Sequence, residues 1–342
     1  MTSGSSTASD RRRMGPVTPR TDHWDGRVFH NVHDRTGKSL VDVWRWRRRN
    51  KPTPWPEWVA DPPRPPPARV PAGRIAATFI GHASFLIQLG GRSVLIDPVW
   101  SPRASPLRFA GPHRVRAPGQ PLDALPGVDL LLVSHNHSDH MDLKTLRKVR
   151  RRWAPPTVTG LGNARHLAKA GLRDVPELDW WQSTEAAGLR VTYVPAQHFS
   201  ARTPFDRNRS LWGGFVIEAP KGEHGNGGTV YFAGDSGWCP HFAEIARAFP
   251  RIDLALLPIG AYQPRWFMRT QHMDPGEAVE AHRVLGARRS IGMHFGTFFG
   301  LTDEAIDEPE RWLAEASAAA GLAPGEFTTL PFGATLELPA AG

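Results

Sequence analysis

The sequence of 342 residues holds a single cysteine, Cys239, so no intrachain disulfide can form and a reducing compartment is the simpler setting. No run approaches ~20 uncharged apolar residues, and Met1 to Arg20 has no apolar stretch of the kind a secretion signal needs. The expected location is cytoplasmic, with at most a peripheral position at the inner membrane face. No internal repeat is visible, although two strand-rich halves are compatible with one. What the chain has in excess is positive charge, a formal +9, and the excess is uneven. Residues 1–70 hold 14 Lys+Arg against 7 Asp+Glu, which leaves 28 against 26 for the remainder. A basic lead segment beside a near-neutral body is either a solvated tail or a contact for anionic lipid or nucleic acid.

Composition shifts divide the chain into three parts. Residues 1–20 are Ser/Thr/Arg-rich and are expected to be disordered. Residues 21–72 form an extension with a short basic helix over Ser39 to Arg49 and a polyproline spacer over Pro62 to Pro67. That helix fits a membrane interface, or alternatively docks its tryptophans on the main domain. Residues 73–342 read as one α/β domain. Short strands are expected over Ile75–Ile80, Ser84–Leu89, Val94–Asp97, Val128–Ser134, Leu189–Pro195, Trp212–Glu218, Thr229–Ala233, Leu254–Pro258 and Ser290–Met293. Helices are expected over Leu143–Arg152, Asn163–Ala170, His241–Phe249, Pro275–Leu285 and Pro309–Ala320.

The chemistry concentrates in His135-Asn136-His137-Ser138-Asp139-His140, placed directly after an apolar strand. Three His and one Asp in six residues is a metal-ligand density, and a strand end lets a loop turn several imidazoles to one point. His135 and His137 can face one metal while Asp139 and His140 reach a second; imidazole with carboxylate suits Zn²⁺ or Mn²⁺, and Fe. His198, Asp235 and His294 each follow an apolar strand in the same way. Alone, each is as well read as a satisfied structural residue; together they supply the donors the cluster lacks.

This string, followed by His198, Gly234-Asp235 and His294 in that order, resembles the metallo-β-lactamase superfamily, whose four-layer αββα sandwich holds two metals at one sheet edge. Further blocks resemble the phospholipase D family that hydrolyses N-acyl-phosphatidylethanolamine: Ala104-Ser105-Pro106, Gly111 to Arg114, Glu177 to Trp181, Leu211-Trp212-Gly213, Ile259 to Met268 and Gln271 to Pro275. The resemblance implies that His135, His137 and His198 hold one ion, that Asp139, His140 and His294 hold the other, and that Asp235 bridges. Two Zn²⁺ per chain are expected, with Mn²⁺ or Fe as alternatives. It also implies that His272 faces the metals and steadies a phosphoryl group or protonates a leaving oxygen; the alternative is a loop histidine bonded to backbone. Tyr262 and Trp212 could line the pocket beside the metals, or belong to the core. The N-terminal extension has no clear counterpart in the family.

The expected function is a metal-dependent phosphodiesterase acting on N-acyl-phosphatidylethanolamine-like phospholipids at the bond between phosphate and diacylglycerol. Two cations ~3.5–4 Å apart share a hydroxide nucleophile there, and Asp139 orients the water or takes its proton. The expected partner is a phospholipid or other phosphodiester, with peripheral membrane contact through the extension and no nucleic acid. A metal-dependent lactonase on a sugar-acid lactone is a second reading. A basic-segment membrane or nucleic-acid binder with structural metals is a third, which would show steeply salt-dependent binding.

Overall fold

The computed structural model describes residues 22–34, 38, 40–49, 52–107, 109–220 and 227–340. The tail expected over residues 1–20 lies outside the described residues, as does Ser39. In chain order the strands of the first half are β1 (Arg74–Gly81), β2 (Ser84–Leu89), β3 (Arg92–Ile96), β4 (His113–Arg114), β5 (Leu130–Val133), β6 (Thr157–Gly160), β7 (Glu177–Leu178) and β8 (Ser183–Ala186). Those of the second are β9 (Leu189–Val194), β10 (Gly214–Glu218), β11 (Thr229–Phe232), β12 (Leu254–Pro258), β13 (Arg289–Met293), β14 (Phe298–Phe299), β15 (Phe327–Thr328) and β16 (Thr335–Pro339). The helices are α1 (Leu40–Arg49), α2 (Leu143–Trp153), α3 (Ala164–Leu167), α4 (His241–Ala248), α5 (Arg265–Met268), α6 (Pro275–Leu285) and α7 (Glu308–Ala319).

Two seven-stranded sheets result, in the orders β16-β1-β2-β3-β5-β6-β7 and β15-β13-β12-β11-β10-β9-β8. Period-two alternation decides which face each strand residue serves. In the first sheet Phe85, Ile87, Val94, Ile96, Leu130 and Leu132 point inward to the core shared with Val191, Tyr193, Phe215 and Ile217 of the second. Leu86, Leu95, Leu131 and Val133 point outward, where Leu146 and Val149 of α2 and Leu167 of α3 cover them. Phe242 and Ile245 of α4, Ala278 and Leu285 of α6 and Leu313 of α7 pack on the other side. The layers are therefore αββα, the sandwich that the resemblance implies.

Local chemistry sets the helix ends near the site. Asp142 caps α2 by accepting the Lys144 N–H at 3.0 Å, and Asp274 with Glu277 forms a capping box at α6, with Pro275 in its first turn. The short strands β6, β8 and β16 escape the apolar pattern. β8 and β16 lie at sheet edges and alternate half-exposed residues, while β6 is four residues long with two threonines. The described part of the N-terminal extension packs on the domain. Phe29 joins the inter-sheet core, the Trp55 ring N–H donates to the Glu304 carbonyl at 2.9 Å, and the Val59 N–H donates to the Val115 carbonyl at 2.7 Å. Among the described residues no helix is long and apolar enough to cross a membrane.

Candidate metal centre

β3, β5, β9, β11, β12 and β13 deliver their following loops to one edge of the sandwich, and the donors meet there. His135 Nε2 lies 2.9 Å from His137 Nδ1, and His198 Nε2 lies 3.2 Å from the same atom. Asp235 Oδ2 stands 3.6 Å from His198 Nε2 and 3.8 Å from His135 Nε2. That oxygen is also 3.1 Å from Nε2 of both His140 and His294. Asp139 Oδ2 completes the second group, 3.4 Å from His294 Nε2 and 3.8 Å from His140 Nε2. Bonds of ~2.0–2.1 Å to a tetrahedral ion place ligand atoms ~3.3 Å apart, so the spacing suits metal binding, with Asp235 Oδ2 common to both groups. All seven side chains named from the sequence converge in this way. The structure adds His82, whose Nε2 is 3.0 Å from Asp139 Oδ2 and whose ring lies 4.0 Å from that of His294, centroid to centroid. It was legible by the same rule as the others, since Gly81-His82 ends the apolar strand β1.

Asp97, at the end of β3, sets the ring tautomers. Its carboxylate can only accept, so His140 Nδ1–H donates to it at 2.7 Å and leaves Nε2 free for an ion. The Ser134 hydroxyl also donates to Asp97, so the His135 Nδ1–H donates to Ser134 Oγ at 2.9 Å, again freeing Nε2. The Gln271 carbonyl accepts from His198 Nδ1 at 3.0 Å, which sets that ring's tautomer too. Asn31 of the N-terminal segment brackets the His198 backbone, accepting its N–H and donating to its carbonyl. Arg202 Nη1 donates at 2.9 Å to the carbonyls of both Asn136 and Met141, clamping the histidine loop. His82, Asp97 and His294 all adopt left-handed backbone angles, φ 58°, 42° and 65°. Such conformations in non-glycine residues cluster at functional sites because packing must hold them. Gly234 precedes Asp235 at φ 63°, where a Cβ would meet the Gly213 carbonyl oxygen at 2.6 Å.

The electrostatics fit ion binding. Burial pushes His137 down to about 4 and His198 to about 3, and with neighbouring imidazoles holds His135 well below the ordinary value, so these rings are neutral as ligands must be. For His294 burial is outweighed by Asp235 and Asp139, which raise it to about 9; the same two carboxylates hold His140 well above the imidazole range. Asp139 and Asp235 fall well below the carboxylate range, mainly through His140, despite their burial. His140 Nε2, His294 Nε2, Asp235 Oδ1 and His272 Nδ1 are buried without a well-formed hydrogen bond. Buried polar atoms of that kind are costly unless something binds them, and the nitrogen and oxygen donor set suits Zn²⁺, Mn²⁺ or Fe.

His272 lies beside both groups, its ring centroid 5.0 Å from that of His198 and 5.3 Å from that of His294. Two expected pocket residues are placed differently. Trp212 is wholly buried between the sheets, its ring N–H donating to Asn31 Oδ1 and the Ala196 carbonyl, because the alternation before β10 turns it inward. Tyr262 is also wholly buried, its hydroxyl donating to Glu308 at 2.7 Å and its ring edge-on to Trp312. Both belong to the packing behind the centre and offer no surface to a substrate.

Two donor groups joined by one carboxylate at the edge of an αββα sandwich define a metal-dependent hydrolase. A family model described as "Beta-lactamase superfamily domain" matches residues 92–295. The chain is 38% identical over 277 residues to "N-acyl-phosphatidylethanolamine-hydrolyzing phospholipase D 1" of Caenorhabditis elegans, covering 76% of this chain and 75% of that protein. It is 31% identical over 225 residues to a metal-dependent hydrolase of Methanopyrus kandleri, covering 65% of this chain and 84% of the other. In fold it is similar to the isothiocyanate hydrolase from Delia radicum gut bacteria, with a TM-score of 0.61 at 19% identity, covering 78% of this chain and 100% of that one. The chain belongs to the metallo-β-lactamase superfamily, and within it to the relatives of the N-acyl-phosphatidylethanolamine-hydrolysing phospholipases D.

Proposed function

We propose that the protein hydrolyses N-acyl-phosphatidylethanolamine or a closely related phospholipid by phospholipase D-type cleavage, with two Zn²⁺ ions, or Mn²⁺ or Fe in their place. The observation that carries this is that Asp235 Oδ2 lies within reach of both donor groups, in a chain 38% identical to a worm protein named for that activity. His135, His137, His198 and Asp235 would hold one ion, and Asp139, His140, His294 and Asp235 the other. When bound, the ions act as Lewis acids that bring the pKa of water towards 7 and neutralise charge growing on phosphoryl oxygens.

The protein's own groups do the rest. His82 donates to Asp139 Oδ2 and fixes the carboxylate's rotation. Asp139 is thereby set to orient the attacking water and take its proton. His272, with Nδ1 free beside both donor groups, is placed to hold a phosphoryl oxygen or pass a proton to the leaving alkoxide. Water oxygen bonds to phosphorus while the phosphorus–oxygen bond on the head-group side breaks, releasing phosphatidic acid and an N-acylethanolamine. That is what a phospholipase D does, and it replaces the cleavage on the diacylglycerol side expected from the sequence. Such a substrate would have the enzyme work at a membrane surface, and the single cysteine fits the reducing, cytoplasmic side of it. The test is mass-spectrometric analysis of products from N-acyl-phosphatidylethanolamine in mixed micelles, with and without a chelator. Both products should appear, vanish on chelation and return with Zn²⁺. Opening of a soluble lactone, with every phosphodiester left intact, would put the lactonase reading in its place.

A further inference from the structure

The metal-bearing edge also concentrates exposed aromatic and cationic side chains, and we infer that this rim is the surface by which the protein docks on an anionic phospholipid bilayer. The inference draws its purpose from the proposed phospholipid substrate, but it is tested without turnover.

Three segments and one turn build the rim, each linked to the donor loops through neighbouring residues. Loop 199–210 is held through Arg202 to the histidine loop, and its Phe205 is 85% exposed. Helix α5 leads into Gln271, whose carbonyl meets His198 Nδ1, and its Trp266 is 47% exposed. Helix α1 stacks Trp46 on Phe267 of α5, ring centroids 5.2 Å apart and 11° from parallel. Trp238 follows Gly237, whose N–H donates to the Gln197 carbonyl at 2.9 Å, one residue before His198.

With Trp46 facing the body, α1 turns a different face outward. Val41, Trp44, Arg45 and Arg48 stand at i, i+3, i+4 and i+7, share one side of the helix, and are all exposed, Trp44 by 58%. The Arg48 guanidinium lies over the Trp44 ring at 4.7 Å. Segments 40–49, 199–210 and 264–271 together carry nine arginines and two aspartates. Arg202 is taken up by the Asn136 and Met141 carbonyls and Arg265 and Arg269 pair with Asp274 and Glu277, while Arg45, Arg48 and Arg209 stand exposed.

Single exposed apolar residues need no explanation, but rings interleaved with guanidiniums around one edge do. Indole and phenyl groups sit well at the head-group level of a bilayer, and arginines meet its phosphates. A nucleic acid would call on the arginines and could stack bases on Phe205 and Trp266, but it would leave the aliphatic Val41 without a role. A bilayer uses all of these, and it presents a lipid phosphodiester to the edge where the donors lie.

The experiment is flotation of the full-length metal-loaded protein with vesicles of phosphatidylcholine, alone or with roughly 30 mol% phosphatidylglycerol, read by bound fraction. The anionic vesicles should carry the protein and the neutral ones should carry far less. At about fivefold per positive charge removed, Arg45→Gln with Arg48→Gln and Arg209→Gln should lower partition on the order of 100-fold. Phe205→Ser with Trp266→Ser should lower it at least about tenfold, with metal content and unfolding midpoint unchanged. Equal flotation with both vesicle types, or binding that neither variant weakens, overturns the inference. Tight binding to an oligonucleotide that the aromatic variant leaves intact would give the rim to nucleic acid instead. Failure to cleave the phospholipid would sink the proposed substrate and leave the docking result standing.

Discussion

Asp97→Asn separates the scaffold of the centre from its ligands. The carboxylate accepts the Ser134 N–H at 2.7 Å, the Ser134 hydroxyl, and the His140 Nδ1–H at 2.7 Å, all fully buried. Asparagine keeps the shape and can still accept the Ser134 N–H, but it turns an NH₂ toward His140. The ring must then accept at Nδ1 and carry its proton on Nε2, the atom that points at Asp235 and Asp139. A hydrogen bond to a charged group contributes ~1.5–3 kcal/mol, and lost partners of metal-bound histidines typically weaken affinity about 10- to 100-fold, which is ~1.4–2.7 kcal/mol. The affinity of the His140-containing group for Zn²⁺ should fall by that factor in a chelator-competition titration. The metal-free unfolding free energy should change by less than about 2 kcal/mol, because the backbone contact survives. Ser134→Ala gives the internal control: it leaves the Asp97–His140 bond in place and should weaken chiefly the His135-containing group. Unchanged affinity for both ions in Asp97→Asn would refute the tautomer argument.

His82→Ala should free Asp139 to rotate and lower occupancy of the second ion more than the first, measured as metal stoichiometry after dialysis against limiting Zn²⁺. Asn31→Ala removes the bracket on the His198 backbone and a partner of the Trp212 ring N–H, and should cost about 2–4 kcal/mol in urea unfolding, far more than a change in a mere appendage. Glu304 is pushed by burial, helped by Glu308, from 4.5 to about 7. The folded chain thus holds that proton more tightly than the unfolded one. This contribution is present below about pH 4.5 and is lost as pH rises to about 7, roughly 3 kcal/mol in all. Glu304→Gln should flatten the stability profile between pH 5 and 7; an unaltered slope there would mean that another group sets it. Trp212→Phe should destabilise the fold and leave KM unchanged, since the ring faces the core.

Much of the fold is written locally. The runs Leu130-Leu131-Leu132-Val133 and Leu254 to Pro258 have the length of buried strands, and Asp274-Pro275 with Glu277 signals a helix start in four residues. β6, β8 and β16 were not legible, because strands this short or this exposed carry little apolar pattern and owe their place to a neighbour's backbone. The same division runs through the centre. His135, His137, Asp139 and His140 announce themselves by spacing, and His82 follows a strand as His198, Asp235 and His294 do, whereas the role of Asp97 lies in the side chains it bonds.

The sequence by itself determined the donor types, the order in which they follow apolar strands, and the basic character of the N-terminal part, because these depend on residue identity and short-range periodicity. Tertiary structure alone decided that Asp97 governs two histidines, that Asn31 reaches across 167 positions to His198, and that Trp212 faces the core. Contacts between residues so far apart are fixed by how two sheets pack and close on each other, and no local pattern records that distance.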